Sequence, residues 1–414
     1  MPGDVDGKGA KSGPLHGIRV LDLTGTLMGP YCTQIMADLG ADVIKVEAQY
    51  GDTTRGLPPC AEPELGGMFM NLNRGKRSIV LNLKEPAGRD ILIGLVERSD
   101  VFVHSMRGQA MRRLNLHYDV LQQIKPDLVY ANLYGFGRDG PYADLPAYDD
   151  VIQAASGLAM LQGQLQNGEP AYLATAIADK VGGLTAVYAI IAALLSRART
   201  GEGQEIEVPM FETLVAFVMT EHLSGAIFQP RLGEPVYPRI VATDRRPYRT
   251  RDGYIAVMIY NDKQWRSFFR AMNHPAWSEA PEFMSMTTRT EAIDSVYGKL
   301  AEVLLERTSA QWLELMRAAE IPAMELYTTE DLLRDEHLEA VGFWKRAAVG
   351  SGSVRYPGIP TRFSRTPGNI AFAAPRLGQD SSDILRELGL SGTDIDTLVA
   401  RGIVGIAAPP DVAA

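Results

Sequence analysis

The first sixty residues constrain the fold most strongly, because they have the pattern of a strand, a helix and a second strand. Residues His16–Thr24 (HGIRVLDLT) are apolar and rich in β-branched side chains, as in a buried strand. Pro30 stands where a helix would begin, and Tyr31–Leu39 continues that helix until Gly40. Asp42–Glu47 (DVIKVE) then predicts the second strand. Such a unit indicates a doubly wound α/β sheet.

The junction between that strand and helix lacks the glycine pattern G-x-G-x-x-G, which cradles a pyrophosphate in NAD-dependent enzymes. The unit is therefore Rossmann-like without the loop that NAD requires, and an NAD oxidoreductase is disfavoured. The net charge is −9 and apolar residues make up 46% of the chain, so we expect a globular protein that does not bind nucleic acid. Two cysteines, Cys32 and Cys60, and the lack of an uncharged run of membrane-spanning length favour a cytoplasmic protein that does not contact a membrane.

The alternation of strands and helices continues to about Tyr134 and predicts a mostly parallel sheet. From Tyr148 the pattern is helical, with helices predicted at Asp149–Leu161 and Asp179–Arg199. The stretch Gln229–Arg251 is rich in proline and arginine, which is typical of a linker. The predicted ranges are a disordered tail at 1–14, a large domain at 15–228, a linker and small α+β domain at 229–330, and a return linker with C-terminal helices that pack on the large domain at 331–414.

Two groups of basic residues could bind an anionic ligand. The stretch Asn73–Ser78 (NRGKRS) places three cations beside a glycine just before a predicted strand, although it lacks the first glycine of a P-loop. Arg107, Arg112 and Arg113 follow another predicted strand at its carboxyl end, where sheets of this type bind ligands. Such groups are more often solvated surface, so the pattern leaves both interpretations open.

Asp179 precedes two glycines and a long apolar helix. The ordinary role of an aspartate here is an N-cap, since its carboxylate accepts hydrogen bonds from the first helical amides. The alternative is a nucleophile, kept ionised by the helix N-terminus, with Gly182 and Gly183 allowing a ligand close to the backbone. Asp149 and Asp150 are also plausible caps. The six histidines show no metal-binding spacing, so no metal site is predicted.

Several stretches, in order, resemble the class III CoA-transferase family, which includes formyl-CoA transferase, carnitine CoA-transferase and α-methylacyl-CoA racemase. The matching stretches are GIRVLDLTGTLMGPYCTQIMADLGADVIKVE, GDTTRG, NRGKRSIVLNLK, GFGRDGPYADLPAYDDVIQAASGL and ADKVGGLTAVYAIIAALLSRARTGEGQEIEV. The resemblance extends from about Pro14 to about Val404. It implies a Rossmann-like large domain, a smaller α+β domain, and a homodimer whose two chains interlock.

The catalytic aspartate of that family matches Asp179, so the resemblance favours a nucleophile over a cap. It implies a CoA-transferase in which Asp179 attacks an acyl-CoA, forms a mixed anhydride and then an aspartyl-CoA thioester, and passes CoA to a carboxylic acid. Backbone amides near Gly182 and Gly183 are candidate donors to the oxyanions. Coenzyme A takes part as a substrate, and no metal is expected.

The resemblance also places CoA against the first domain. The positions that match CoA contacts of the family are Thr26, Leu27, Leu72, Asn73, Ser105, Met106 and Arg113, and Lys76 and Arg77 lie in the matching basic loop. Two positions depart from the family pattern. Ala48 stands where some relatives have an arginine near the adenine, and Ser105 replaces a frequent asparagine, so the details of adenine binding stay open.

Tyr148 bears on which branch of the family the chain resembles. The racemase branch has a histidine at the matching position, where it transfers a proton beside the aspartate. A phenol is a poor base at neutral pH, so a pocket containing Tyr148 favours transferase chemistry. Two alternatives stay open: a racemase or isomerase of the α-methylacyl-CoA type, and a non-catalytic acyl-CoA-binding protein.

Overall fold

The computed structural model describes residues 4–5, 11–166, 168–272, 275–349 and 352–407. The strands are β1 (Asp4–Val5), β2 (Arg19–Leu23), β3 (Asp42–Glu47), β4 (Arg77–Leu81), β5 (Val101–His104), β6 (Val129–Tyr134), β7 (Gln204–Pro209), β8 (Tyr248–Arg249), β9 (Tyr254–Val257), β10 (Ala323–Glu325), β11 (Trp344–Val349), β12 (Gly352–Pro357) and β13 (Val404–Gly405).

The α-helices are α1 (Met28–Asp38), α2 (Gly67–Asn73), α3 (Pro86–Glu97), α4 (Gly108–Leu114), α5 (Tyr118–Ile124), α6 (Asp149–Ala155), α7 (Leu158–Gln164), α8 (Ile177–Thr200), α9 (Met210–His222), α10 (Pro238–Val241), α11 (Asp262–Met272), α12 (Pro275–Ser278), α13 (Met286–Glu291), α14 (Ile293–Leu304), α15 (Ser309–Ala318), α16 (Thr329–Leu332), α17 (Glu336–Ala340), α18 (Ser381–Glu387) and α19 (Gly392–Ala400).

The largest sheet has, among the described residues, seven strands in the order β13-β4-β3-β2-β5-β6-β7. All neighbours from β4 to β7 pair in parallel, and β13 pairs antiparallel with β4. The chain steps from β2 outward to β3 and β4, then returns to the other side of β2 with β5. This reversal opens a crevice at the carboxyl ends of β2 and β5, where open α/β sheets bind ligands. The predicted mixed α/β fold with a large, mostly parallel sheet is confirmed.

The core of this sheet joins distant parts of the chain. Leu21, Ile44 and Phe102 of the strands pack in one cluster with Leu92 of α3 and Ile384 of α18, and all five side chains are fully buried. Burial of such a side chain contributes about 1.5–3 kcal/mol relative to leaving it in water. The C-terminal helix α18 is therefore held to the sheet by its apolar face.

Contacts within the chain define two compact units. The first comprises Met1–Ser156, Ala174–Phe217 and His337–Ala414, and the second comprises Gly157–Leu173 and Val218–Glu336. The segment Gly157–Leu173, which lies inside the predicted large domain, thus groups with the second unit. The predicted limits at 228 and 330 stay a prediction.

The second unit has its own small sheet and core. Strands β10, β9 and β8 pair antiparallel in that order. Ile255 of β9 packs with Phe268 of α11, Leu304 of α14 and Trp312 of α15, and these four side chains are fully buried. The indole of Trp312 donates a hydrogen bond to the carbonyl of Leu304 at 2.8 Å. The unit therefore has an α+β composition.

Two features differ from the sequence predictions or lie outside the description. The helix predicted at Asp149–Leu161 is two helices, α6 and α7, because Gly157 between them adopts a left-handed backbone with φ +83°. Of the tail predicted at 1–14, residues 1–3 and 6–10 lie outside the described residues. Lys11, near the end of that range, pairs with Asp42 at 2.9 Å.

Residues Gly135–Gly140 (GFGRDG) follow β6 and have the glycine spacing of a dinucleotide loop. The structure excludes that function, because a turn follows β6 and the next helix, α6, begins only at Asp149. The amide of Gly137 donates to Glu212 at 3.0 Å and that of Arg138 donates to Glu207 at 2.7 Å. These amides face carboxylates, so they do not form a phosphate cradle.

Candidate active site

Two cavities lie at the carboxyl ends of the parallel strands, on either side of the reversal between β2 and β5. The first has a volume of about 570 Å³ and contains Asp179 and Tyr148 in its wall; we call it the aspartate cavity. The second has a volume of about 840 Å³ and is lined by Ala48 and Tyr50 after β3; we call it the β3 cavity. Both are lined by Gly25, Thr26 and Ser105, so they meet at these three residues.

Asp179 is the third residue of α8 and does not cap it. The N-cap position is Ala176, which makes no side-chain hydrogen bond. The amide of Asp179 donates to Oδ1 of Asp149 at 3.0 Å, and Oδ2 of Asp149 accepts from Nε2 of Gln153 at 2.6 Å. Asp149, the first residue of α6, therefore binds an amide at the start of α8. The carboxylate of Asp179 is left to face the cavity.

The surroundings of Asp179 make it more basic than an ordinary aspartate. Burial raises its pKa, the neighbouring Asp149 carboxylate raises it further, and a hydrogen bond from the amide of Met28 lowers it, giving a pKa of about 6. At neutral pH the carboxylate is therefore mostly ionised, while its basicity exceeds that of a solvated aspartate. Both properties suit a nucleophile.

The loop between β2 and α1, residues 24–27, is held by a buried ion pair. Nζ of Lys45 lies 2.9 Å from Oδ2 of Asp52, and both side chains are almost completely buried. The same Nζ donates to the carbonyl of Thr24 at 2.8 Å, and Oδ1 of Asp52 accepts from the amide of Thr26 at 3.3 Å. Thr26 has φ +69°, a strained backbone for a β-branched residue. The ion pair thus fixes the loop that presents the Met28 amide to Asp179.

Gly182 and Gly183 lie against α1. A methyl group on Gly182 would meet the side chain of Met28 at 2.7 Å, and one on Gly183 would meet the carbonyl of Met28 at 2.8 Å and the ring of Tyr31 at 3.0 Å. Both glycines are past the first turn of α8, where α-helical geometry commits each amide to the carbonyl four residues earlier. The structure therefore gives these glycines a packing role that brings α8 close to α1.

Some of the residues predicted to bind CoA come together at the two cavities. Thr26 and Ser105 line both cavities, and Met106 and Arg113 line the β3 cavity. Leu27 is adjacent, at the N-cap of α1. These residues follow β2 and β5, so the doubly wound pattern and the family resemblance lead to the same edge of the sheet.

The structure does not bring the predicted basic loop to either cavity. Lys76 is fully buried, and its ammonium donates to Asp22, to the carbonyl of Pro30 and to Asn73 at 2.8–3.1 Å. Burial lowers the pKa of Lys76 to about 8, although the Asp22 carboxylate opposes this change. Leu72 and Asn73 are also buried, at the end of α2. These side chains belong to the interior, which contradicts a direct role of Lys76 as a phosphate ligand.

Arg77 is likewise engaged by protein carboxylates. It begins β4 and binds Asp42, which begins β3, at 2.6 Å and Glu387 of α18 at 2.6 Å. The amino ends of parallel strands lie at the opposite edge of the sheet from their carboxyl ends. Arg77 is therefore distant from the crevice, and its predicted contact with CoA is not supported by its position.

Several residues around the cavities were not predicted as site residues. They are Met28, whose amide binds Asp179; Asp149, which binds the amide of Asp179; Lys45 and Asp52, which hold the loop; and His117, which lines the aspartate cavity. Arg107 and Arg112, which the sequence offered as part of a basic group, line the same cavity. Asp149 had a sequence signal, since it was a plausible cap. The helix that it binds starts about thirty residues later, which local spacing does not show.

The geometry above defines an α/β protein with a partly buried aspartate at a strand-end crevice. Residues 15–381 match the model of CoA-transferase family III. The chain belongs to this family, so it is a CoA-transferase whose substrates are CoA thioesters and carboxylic acids, as predicted.

Two relatives and one solved structure illustrate the similarity. An acyl-CoA transferase of Fusarium pseudograminearum is 32% identical, covering 95% of this chain and 89% of the relative. A succinate–glutarate CoA-transferase of Agrobacterium fabrum is also 32% identical, covering 91% and 96%. The crystal structure of a CAIB/BAIF family protein from Brucella suis has a TM-score of 0.76 at 29% identity, covering 91% of this chain and 100% of that one.

Proposed function

We propose that Asp179 is the covalent nucleophile of CoA transfer from an acyl-CoA donor to a carboxylic acid acceptor. The single observation that carries the proposal is the position of its carboxylate: it lines a cavity of about 570 Å³ that meets a second cavity at the sheet's topological reversal. A carboxylate walled off from such a cavity could not meet a CoA thioester. The raised pKa of Asp179 supports the same role.

The β3 cavity suits the nucleotide end of CoA. Lys84 and Arg113 line it, and neither forms an ion pair within the described ranges, so both cations are available to phosphates. The pantetheine arm would then pass Gly25, Thr26 and Ser105 to reach Asp179. Tyr50, 86% exposed after β3, offers an aromatic surface near Ala48, where the family arginine is missing.

The chemistry needs no ATP, because each step exchanges one acyl bond for another. The Asp179 carboxylate attacks the thioester carbonyl; the C–S bond breaks, leaving CoA thiolate and a mixed anhydride. The thiolate attacks Cγ of Asp179, the anhydride C–O bond breaks, and the donor acid departs. The acceptor carboxylate attacks the resulting aspartyl-CoA thioester, and the released thiolate takes the acceptor acyl group, which regenerates Asp179.

The oxyanion that forms on Cγ of Asp179 needs a hydrogen-bond donor in place before the reaction. The amide of Met28 is the candidate donor, because its interaction with the Asp179 carboxylate already lowers the pKa of that group. We therefore propose the Met28 amide as the oxyanion donor instead of the amides of Gly182 and Gly183, which donate to carbonyls within α8. The ion pair of Lys45 and Asp52 holds this donor in position.

The predicted interlocked homodimer is part of the proposal. Helix α8 leaves Leu184, Tyr188 and Leu195 exposed by 49%, 64% and 53%. Among the described residues it is the one helix long and apolar enough to cross a membrane by length and composition, a test that core helices of soluble proteins also pass. An apolar face of this kind is covered in a dimer by a second copy of the chain.

The experiment is to incubate the protein with an acyl-CoA and hydroxylamine and to read the Asp179 peptide by mass spectrometry. The wild type should give an aspartyl hydroxamate, and Asp179→Ala should give none and should be inactive. Asp150→Ala, at an exposed position beside Asp149, is the matched control and should trap normally. A fully active Asp179→Ala variant would refute the proposal. Deuterium uptake at the substrate α-carbon without an acceptor acid would instead indicate the racemase alternative.

A further inference from the structure

Two arginines of the aspartate cavity are not neutralised by the protein. Arg107 is the N-cap residue of α4 and Arg112 lies in its last turn; both are exposed and both line the cavity that contains Asp179. Within the described part of the chain, neither forms an ion pair with a carboxylate. The third arginine of the cavity, Arg138, is held by Glu205 and Glu207, each at 2.7 Å.

The other carboxylates in the wall of the aspartate cavity do not pair with Arg107 or Arg112. Glu205 is occupied by Arg138 and by Nδ2 of Asn132 at 2.8 Å. Asp144, also in the wall, makes no ion pair with Arg107 or Arg112 among the residues described. Two guanidinium groups thus share a cavity with Asp179 without a protein carboxylate, which leaves their hydrogen-bond donors available to an anionic group.

We propose that Arg107 and Arg112 bind a second, non-reacting carboxylate of the acid, so that the enzyme acts on dicarboxylic acids. This inference rests on the proposed function, since it takes Asp179 as the group that receives CoA. One carboxylate of the diacid meets the aspartyl-CoA carbonyl and is converted to the thioester. The other carboxylate keeps its oxygens and its charge throughout, bound to the arginines of α4.

The helix supplies a matched control. Arg112 and Arg113 are neighbours in sequence and both are exposed, yet Arg112 lines the aspartate cavity and Arg113 lines the β3 cavity. Loss of Arg112 should therefore weaken recognition of the acid, and loss of Arg113 should weaken recognition of CoA. Both variants lose one exposed positive charge from the same helix, so a difference between them reflects the cavity that each arginine lines.

The experiment measures initial rates with acetyl-CoA as donor, because acetate has no second carboxylate. The acceptors are linear diacids from succinate to adipate and the monoacids of equal chain length, such as glutarate against pentanoate. The variants are Arg107→Gln, Arg112→Gln and Arg113→Gln. Hydroxylamine trapping of Asp179 with acetyl-CoA is measured in parallel, since that half-reaction involves no diacid.

The wild type should favour glutarate over pentanoate in kcat/KM by about tenfold or more, the effect of a charge-assisted hydrogen bond. Arg107→Gln and Arg112→Gln should each reduce this preference by about tenfold, through the KM for the diacid, and should still be trapped by hydroxylamine. Arg113→Gln should raise the KM for acetyl-CoA and keep the preference.

An unchanged preference in both Arg107→Gln and Arg112→Gln would overturn the inference. So would a wild type that uses monoacids as well as diacids, or one that is trapped but turns over none of the diacids. Failure of the proposed function has a different signature, because the wild type would then give no hydroxamate at all.

Discussion

The two edges of the large sheet treat their cations in opposite ways. At the amino ends of the strands, Arg19 and Arg77 both bind Asp42, at 3.0 and 2.6 Å, and both reach Glu387, at 3.2 and 2.6 Å. At the carboxyl ends, the cations lining the cavities include Lys84, Arg107, Arg112 and Arg113, which make no ion pair in the ranges described. The first edge uses these charges within the protein. The second pairs Lys45 and Arg138 with carboxylates but leaves the other four cations unpaired at the cavities.

This difference explains why a basic motif by itself is a weak sign of a binding site. Lys76 and Arg77 are in the most conspicuous basic stretch of the sequence, yet their charges are balanced by Asp22, Asp42 and Glu387. A cation that is already paired offers little to a phosphate, because binding would require the existing pair to be broken. The unpaired arginines of α4 have no such cost.

The largest expected effect is on Asp179, at the carboxyl edge. Asp179→Asn should reduce activity by at least about a thousandfold, because an amide is a poor nucleophile. The same change should raise the free energy of unfolding at pH 7.5 by about 1–3 kcal/mol, since the raised pKa means that ionisation of Asp179 disfavours the folded state. The measurement is denaturant unfolding of both proteins.

The sign of this stability effect can be checked with pH. The folded state binds the Asp179 proton more tightly than the unfolded chain, so this residue's contribution to stability falls as pH rises from its ordinary range, near 4, through about 6. The gain from Asp179→Asn should therefore shrink as pH is lowered towards 4. Asp150→Asn, exposed on α6, should change the free energy of unfolding by less than about 0.5 kcal/mol at either pH. A gain that grows on acidification would contradict the assignment.

The second prediction contrasts a buried cation with an exposed one. Lys76→Met leaves the Asp22 carboxylate buried without its ammonium partner, so it should lower the free energy of unfolding by about 3–5 kcal/mol. Arg113→Gln should change it by less than about 0.5 kcal/mol while raising the KM for acyl-CoA. Denaturant unfolding and initial rates separate the two outcomes. If Lys76→Met had the free energy of unfolding of the wild type, the contrast between interior and cavity cations would be wrong.

The third prediction concerns the pH profile. Because the pKa of Asp179 is raised to about 6, kcat/KM should rise with pH through this range and level off above about 7. Asp149→Asn removes a neighbouring negative charge and keeps an acceptor for the Asp179 amide, so the rise should move to lower pH. The expected gain is about two- to tenfold in the activity at pH 5 relative to the plateau, with Asp150→Asn as the unshifted control. A shift to higher pH would exclude this role of Asp149.

The smallest effect is expected at the amino edge. Arg77→Gln weakens a partly exposed pair network, so it should lower the free energy of unfolding by less than about 1 kcal/mol. The KM for acyl-CoA should not change, because Arg77 is at the edge opposite the cavities. A rise in this KM comparable with that of Arg113→Gln would show that the comparison of the two edges is wrong.

Much of the parallel sheet was predictable, because its elements have strong local patterns. The predicted strand Asp42–Glu47 agrees with β3 residue for residue, and the predicted helix Asp179–Arg199 lies within α8. The helices α2 and α4 and the hairpin of β11 and β12 were not predicted. Both helices begin with a glycine, which is a poor helix former, so the sequence shows no helix start there. The hairpin depends on cross-strand pairing rather than on a run of apolar residues.

The site was predictable in part. The resemblance located Asp179, Thr26, Ser105 and Arg113, which the structure places at the cavities. It did not distinguish them from Lys76, since nothing in a local pattern shows that Asp22, 54 residues away, neutralises that ammonium.

Local order in this chain follows from short-range effects that a sequence displays: apolar periodicity, prolines at helix starts and glycines at turns. Whether a charged side chain is paired depends on which side chains become its neighbours across tens or hundreds of residues. Arg77 and Glu387, for example, are 310 residues apart in the sequence. Coulomb interactions depend on spatial distance and burial, and neither can be read from spacing along the chain. Folding therefore paired some cations with carboxylates and left others unpaired at the crevice, and it is these unpaired cations that we propose bind the substrate.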